Sequence, residues 1–210
     1  MDQPHGLLDP HAVLTRAAER LADRFEGIVG PETVERVVFE SYAALARSAR
    51  VTDLLPALAE KFAGDRLTAL GQSQGLVAKP HPEVLYVCVQ NSGRSQMAAA
   101  LTAHIAGDRV HVRSAGSQPG EFILPSVRTV LEELGIDLET EFPKPLTDDV
   151  VRAADAVITM GCGDACPIYP GKRYEDWSLD DPETLRLDDV RRVRDEIRER
   201  VEKLVSELVG

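Results

Sequence analysis

The stretch VLYVCVQNSGRSQMAAAL, residues 84–101, joins a short apolar run to a helical pattern of small residues, with one cysteine at the junction. Val84 to Cys88 reads as a buried strand of the kind found in parallel sheets. A helix is predicted from Arg94 to about residue 106, which leaves Val89, Gln90, Asn91, Ser92 and Gly93 as a tight connecting loop. Successive N–H groups in such a loop, backed by a helix N-terminus, form a concave anion site. Arg94 adds a planar fork that matches two oxygens of a tetrahedral oxyanion. Ser95 offers a hydroxyl to the sulfur, Asn91 can brace the loop through its side chain, and Gly93 permits close approach or a positive φ. The same field that holds an anion stabilises a thiolate, so Cys88 is a candidate nucleophile beneath the bound group. Taken alone, Cys88 reads more readily as an ordinary buried strand cysteine. The ordered combination of strand, Cys, loop, Arg, Ser and helix is what argues for chemistry.

Downstream, strands are predicted at 84–88, 110–114 and 155–160, and helices at about 94–106, 124–135, 147–153 and 187–208. Strands that alternate with helices imply an α/β fold, a parallel sheet with helices on both faces. Ligands in such sheets bind beyond the carboxyl ends of the strands, where Cys88 lies. Cys162 and Cys166, in MGCGDACPIYPG, follow the last of these strands and so share that edge. Glycines and prolines mark their surroundings as an irregular loop. A C-x3-C pair is also half of a zinc site, but no C-x2-C or nearby histidine completes four ligands, and no metal is expected. Two inert loop cysteines are the other alternative. Trp177 is expected in the core, and His104 and His111 are expected to take no part in chemistry.

Upstream, three blocks carry apolar residues at helical spacing. The first has Val13, Leu14, Ala17, Leu21 and Phe25; the second opens at Pro31 and carries Val34, Val37, Val38, Tyr42 and Leu45. The third follows Thr52, a suitable N-cap, with Pro56 in its first turn and Leu55, Leu58, Phe62 and Leu70 on its apolar face. Residues 1–76 are therefore expected to form a three-helix bundle, 77–83 a linker, and 84–210 the α/β domain. Three short helices make a marginal core by themselves. The bundle is expected to pack on the other domain or on a second chain, either covering the active-site edge of a homodimer or adding stability alone.

With 24 Lys and Arg against 35 Asp and Glu, the chain carries a net charge of -11. That balance argues against nucleic acid or anionic lipid as partners. No apolar run reaches membrane-spanning length, and MDQPHGLLDP lacks the features of a signal peptide, so a cytoplasmic location is expected. Three cysteines in a reducing compartment point to reactive or inert thiols rather than structural bridges.

VCVQNSGRSQMA resembles the phosphate-binding loop of the low-molecular-weight protein tyrosine phosphatase family, and more closely its arsenate reductase branch, where RSQMA stands in place of RSPMA. The resemblance continues through VRSAG (112–116), ADAVITM (154–160), CPIYPGKRYEDWSLDDP (166–182) and VRDEIRERVEKL (193–204). It implies a four-stranded parallel sheet and a thioredoxin-coupled, three-cysteine arsenate reductase that needs no cofactor. Cys88 would bind arsenate's arsenic, with phosphate or sulfate as competing oxyanions, in a loop formed by Val89 to Ser95. Cys162 would then attack Cys88, Cys166 would take over the disulfide, and thioredoxin would reduce it. Asp181 would be the general acid, although Asp181-Pro182-Glu183 also reads as a helix start.

Departures from the resembling family are informative. Only Gly163, Asp164 and Ala165 separate the two later cysteines, a shorter interval than the family's. The carboxylates that hold potassium in some of its members correspond here to Ala99 and about Pro145, so no monovalent cation is carried over. Glu183 and Thr184 stand where the phosphatases place tyrosines beside the substrate, which weakens a phosphotyrosine assignment. The alternatives are transfer of arsenate to mycothiol or glutathione by Cys88 alone, and phosphatase activity.

Overall fold

The computed structural model describes residues 9–49, 52–161 and 166–210, and the chain divides into compact units at Val77/Ala78. In the first unit, α1 (Pro10–Arg24) starts on Asp9, whose side chain accepts from the His11 N–H at 3.1 Å. It buries Leu14, Ala17, Ala18 and Leu21; Val13 is only half-buried, and Ala18 completes the inward stripe. The helix α2 (Pro31–Ala46) buries Val34, Val37, Val38, Ser41 and Leu45. The third helix, α3 (Leu55–Ser73), is capped at Leu54 rather than at Thr52, a correction to the predicted start. Pro56 explains the shift. With Thr52 as cap, its missing N–H would fall where the first intrahelical bond is needed, whereas after Leu54 it sits among the groups that have no partner anyway.

In the second unit four strands form one parallel sheet, ordered β2-β1-β3-β4. These are β1 (Glu83–Cys88), β2 (His111–Gly116), β3 (Ala156–Met160) and β4 (Arg173–Asp176). All six residues of β1 are buried, as its apolar run requires. Glu83, expected in the linker, is its first residue and pairs with His111 of β2. The helices are α4 (Arg94–Ala106), α5 (Pro125–Glu132), α6 (Asp148–Ala153) and α7 (Leu187–Val209). Tyr86, Met97, Leu101, Val127, Ile158, Trp177, Ile197 and Val201 belong to one apolar cluster that joins sheet and helices. Trp177 packs on Tyr86 with ring centroids 5.7 Å apart, as expected of a core residue. None of the described helices is long and apolar enough to cross a membrane.

The chain leaves β1 toward β2 on one side and returns to β3 on the other. The reversal of direction falls at the carboxyl end of β1, the place where open parallel sheets hold ligands. Cys88 is the last residue of β1 and is in register with Gly116 on one side and Met160 on the other.

Candidate active site

Beyond Cys88 the loop turns back on itself, and neighbouring backbone holds it from outside. The carbonyls of Cys88, Val89, Gln90 and Ser92 accept from the N–H groups of Ser117 (3.1 Å), Gln118 (2.8 Å), Gly120 (2.8 Å) and Leu124 (3.0 Å). A trans peptide points its N–H opposite to its carbonyl. Turning these four carbonyls outward therefore turns the N–H groups of Val89, Gln90, Asn91 and Gly93 inward. The Asn91 N–H meets the Cys88 sulfur at 3.2 Å.

The loop's positive φ is on Asn91 (51°), not on Gly93. Asn91 tolerates this conformation better than most residues because its short polar side chain bonds locally. Gly93, with φ of −131°, serves close approach instead: a Cβ there would lie 2.6 Å from Cγ of Pro182. That contact brings the Asp181-Pro182 segment against the loop.

A polar relay fixes what the sulfur receives. The Asn91 Oδ1 accepts from the Lys144 N–H at 2.8 Å and from Nε2 of Gln96 at 3.0 Å. Its amide nitrogen then faces Ser95 and donates to Oγ at 2.9 Å. The Ser95 oxygen is thereby used as an acceptor, which leaves its own hydrogen for the Cys88 sulfur at 2.9 Å. Two donors on one sulfur suit a thiolate, which accepts and cannot donate. Asn91, Ser95 and Gln96 are all buried.

Arg94 opens α4 with a largely buried side chain. Its Nη2 donates to Asp181 Oδ2 at 2.5 Å and its Nη1 to the Leu179 carbonyl at 3.3 Å. Asp181 Oδ1 also accepts from the Glu183 N–H at 3.1 Å, capping the short helix Pro182–Thr184. Asp181 is thus both a cap and a neighbour of the loop's cation. The Gln90 side chain donates to Glu183 at 3.2 Å, on the rim of a cavity of about 470 Å³ that also touches Ser92, Gln118 and Phe122.

The two later cysteines stand differently. Cys166 is buried, with its sulfur 3.9 Å from the Pro167 carbonyl. Cys162 lies outside the described residues. Gly161, which precedes it, has a φ of +74°, and a Cβ there would come within 3.3 Å of Nη1 of Arg94. The end of β3 therefore abuts the arginine of the loop. His104 is exposed on α4, whereas His111 pairs with buried Glu83 at 3.3 Å at the opposite end of the sheet. Among the described residues no cluster of His, Cys, Asp and Glu could hold a metal.

Sequence reasoning left two groups without a role. Gln96 and the Lys144 backbone orient Asn91, and Gly116 lets the adjoining segment lie flat against the loop. Their signals were the Gln of RSQMA and the final Gly of VRSAG, both present as motif letters with no contact attached to them.

Residues 83–209 match the low molecular weight phosphotyrosine protein phosphatase family. Residues 14–71 match the protein-tyrosine-phosphatase-like N-terminal domain. A putative arsenate reductase of Halobacterium salinarum is 35% identical over 127 residues, covering 58% of this chain and 89% of that protein. A glutaredoxin arsenate reductase of Synechocystis is 33% identical over 129 residues, covering 60% of this chain and 98% of that protein. The solved structure of a thioredoxin-dependent arsenate reductase of Corynebacterium glutamicum superposes with a TM-score of 0.85 at 49% identity, covering 94% of this chain and 96% of that one. With the match running from the first residue of β1 to the last of α7, the chain belongs to the low molecular weight phosphotyrosine protein phosphatase family.

Proposed function

We propose that the chain reduces arsenate to arsenite with electrons from thioredoxin. The observation that carries this is a doubly hydrogen-bonded Cys88 sulfur inside an anion loop, on the sheet edge where the Cys162 segment begins. Neighbouring parallel strands lie about 4.8 Å apart, and Cys88 is in register with Met160, two residues before Cys162. The likeness to a thioredoxin-dependent arsenate reductase along nearly the whole chain supports the same reading.

Arsenate enters the loop of residues 89–95 and takes Arg94 from Asp181. The Cys88 thiolate attacks arsenic, and one arsenate oxygen leaves as water with a proton supplied by Asp181. The Cys162 thiolate next attacks the Cys88 sulfur. A disulfide forms, the electron pair of the S–As bond passes to arsenic, and As(V) leaves as As(III). Cys166 then attacks Cys162 and releases Cys88 as a thiolate. Two thiols of thioredoxin reduce the remaining disulfide and become a disulfide themselves. Such a cycle belongs in a reducing cytoplasm, where thiols are kept available, and serves arsenic detoxification.

The test is arsenate-dependent NADPH oxidation with thioredoxin and thioredoxin reductase. Wild type should turn over, Cys88→Ser and Cys162→Ser should not, and Cys166→Ser should release about one arsenite per chain and stop. Multiple turnover by Cys162→Ser would refute the relay. Activity restored only by mycothiol or glutathione with a glutaredoxin would favour transfer by Cys88 alone, and efficient aryl phosphate hydrolysis without reductant would favour a phosphatase.

A further inference from the structure

The loop after Cys166 holds an apolar side chain in water. Ile168 is 80% exposed, the most exposed large hydrophobic residue among those described. Its exposure is built rather than incidental. The Tyr174 hydroxyl, projecting from β4, donates to the Pro167 carbonyl at 3.2 Å and accepts from the Tyr169 N–H at 2.8 Å. One hydroxyl therefore clasps the peptide groups on both sides of Ile168.

A second clasp lies on the following residue. The Tyr169 hydroxyl donates to Asp148 of α6, and the Arg152 guanidinium lies over its ring, 4.4 Å from the centroid. Pro167 and Pro170 stiffen the same segment by fixing their own φ angles. The residues on either side of Ile168 are thus anchored to α6 and β4.

Resting on the arsenate reductase reading, we propose that Ile168 is the apolar anchor on which the reducing dithiol protein docks, and that Tyr174 is the positioning residue that presents it. Cys166 is buried two residues away. A protein that must deliver a thiolate to the disulfide there needs a grip on adjacent surface, whereas a small dithiol needs none. The chemistry served is ordinary exchange: a reductant thiolate attacks one sulfur of the Cys162–Cys166 disulfide and the other sulfur leaves as a thiolate. The reductant's second thiol resolves the mixed disulfide, carrying two electrons in all.

The experiment compares wild type with Ile168→Ser, Ile168→Val and Tyr174→Phe, driven by thioredoxin or by dithiothreitol. Ile168→Ser should raise KM for thioredoxin about tenfold, the scale of one aliphatic side chain withdrawn from an interface. Its KM for arsenate and its dithiothreitol-driven rate should not change. Ile168→Val should stay near wild type, and Tyr174→Phe should move the thioredoxin KM in the same direction as Ile168→Ser. An unchanged thioredoxin KM in Ile168→Ser, beside a wild type that turns over, overturns the docking role and leaves the activity standing. An equal loss with dithiothreitol overturns it too, because the residue would then support the loop itself. No turnover by wild type with thioredoxin would refute the reductase reading instead.

Discussion

Alanine at Gly116 is expected to disable the site without touching a charged or nucleophilic group. A Cβ at this position would lie 2.7 Å from the Val89 carbonyl oxygen, 2.9 Å from the Asn91 nitrogen and 3.0 Å from the Asn91 Cβ. The first two are backbone atoms of the anion loop. Gly116 cannot retreat, because its N–H donates to the Lys144 carbonyl and its own carbonyl accepts from the Leu146 N–H, both at 2.8 Å. Relieving the closest contact to an ordinary 3.4 Å therefore moves the loop by about 0.7 Å. The second contact, 2.9 Å from the Asn91 nitrogen, presses on the peptide whose N–H meets the Cys88 sulfur. Misplacement on the scale of 1 Å costs about a hundredfold in rate, and overpacking of this kind costs about 1–3 kcal/mol of stability. Thioredoxin-coupled NADPH oxidation should show kcat/KM for arsenate reduced about a hundredfold, with a fall in Tm of about 5 °C. Gly120→Ala is the control. Its Cβ would meet Ser92 Oγ at 2.5 Å, but this is the end of a side chain that can rotate away. It should stay within a few-fold of wild type. A fully active Gly116→Ala, or an equal loss in Gly120→Ala, would refute the idea that backbone contact holds the loop.

Asp181→Asn should lower kcat about a hundredfold; the neighbouring Asp180→Asn should leave kcat unaltered. Gln96→Leu, which removes one donor from the Phe142 carbonyl and one of two donors to Asn91 Oδ1, should cost about 1–3 kcal/mol in urea unfolding and lower kcat. At Glu83, burial pushes the carboxyl up, but hydrogen bonds from His111 and Arg113 and the charge of Arg113 outweigh it and hold the group below its ordinary value of 4.5. Its stabilising effect is thus present above that value and is lost as pH falls through the lower folded one. Glu83→Gln should cost about 3–5 kcal/mol at neutral pH by removing the buried carboxylate that faces Arg113. The gap from wild type in urea midpoint should shrink on acidification below pH 4.5, and a gap that stayed constant would refute the assignment.

The Cys88 loop is legible in the sequence because its information is local: strand, cysteine, five loop residues, arginine, serine and helix are contiguous. The strand order and the relay onto Cys88 are not local. Asn91 depends on the Lys144 N–H, 53 positions away, and no periodicity announces such a partner. The strand β4 is equally silent, since RYED shows no apolar alternation and its residues are half-buried or exposed at the sheet edge. Three strands follow from the pattern; the fourth came only from the family resemblance. Thr52 is a good cap residue, but Pro56, whose missing N–H cannot serve the first intrahelical bond, sets where α3 starts.

The outward-turned carbonyls of the loop have a further consequence for selectivity. A cradle made of main-chain N–H groups reads charge and tetrahedral shape, and is blind to which element stands at the centre. Discrimination among oxyanions must then come after capture, in whether the central atom accepts an electron pair when a second sulfur arrives. Phosphate in such a cradle would be a reversible occupant that delayed the cycle without being consumed. Throughput in a cell would follow the ratio of arsenate to phosphate more closely than the absolute amount of arsenate.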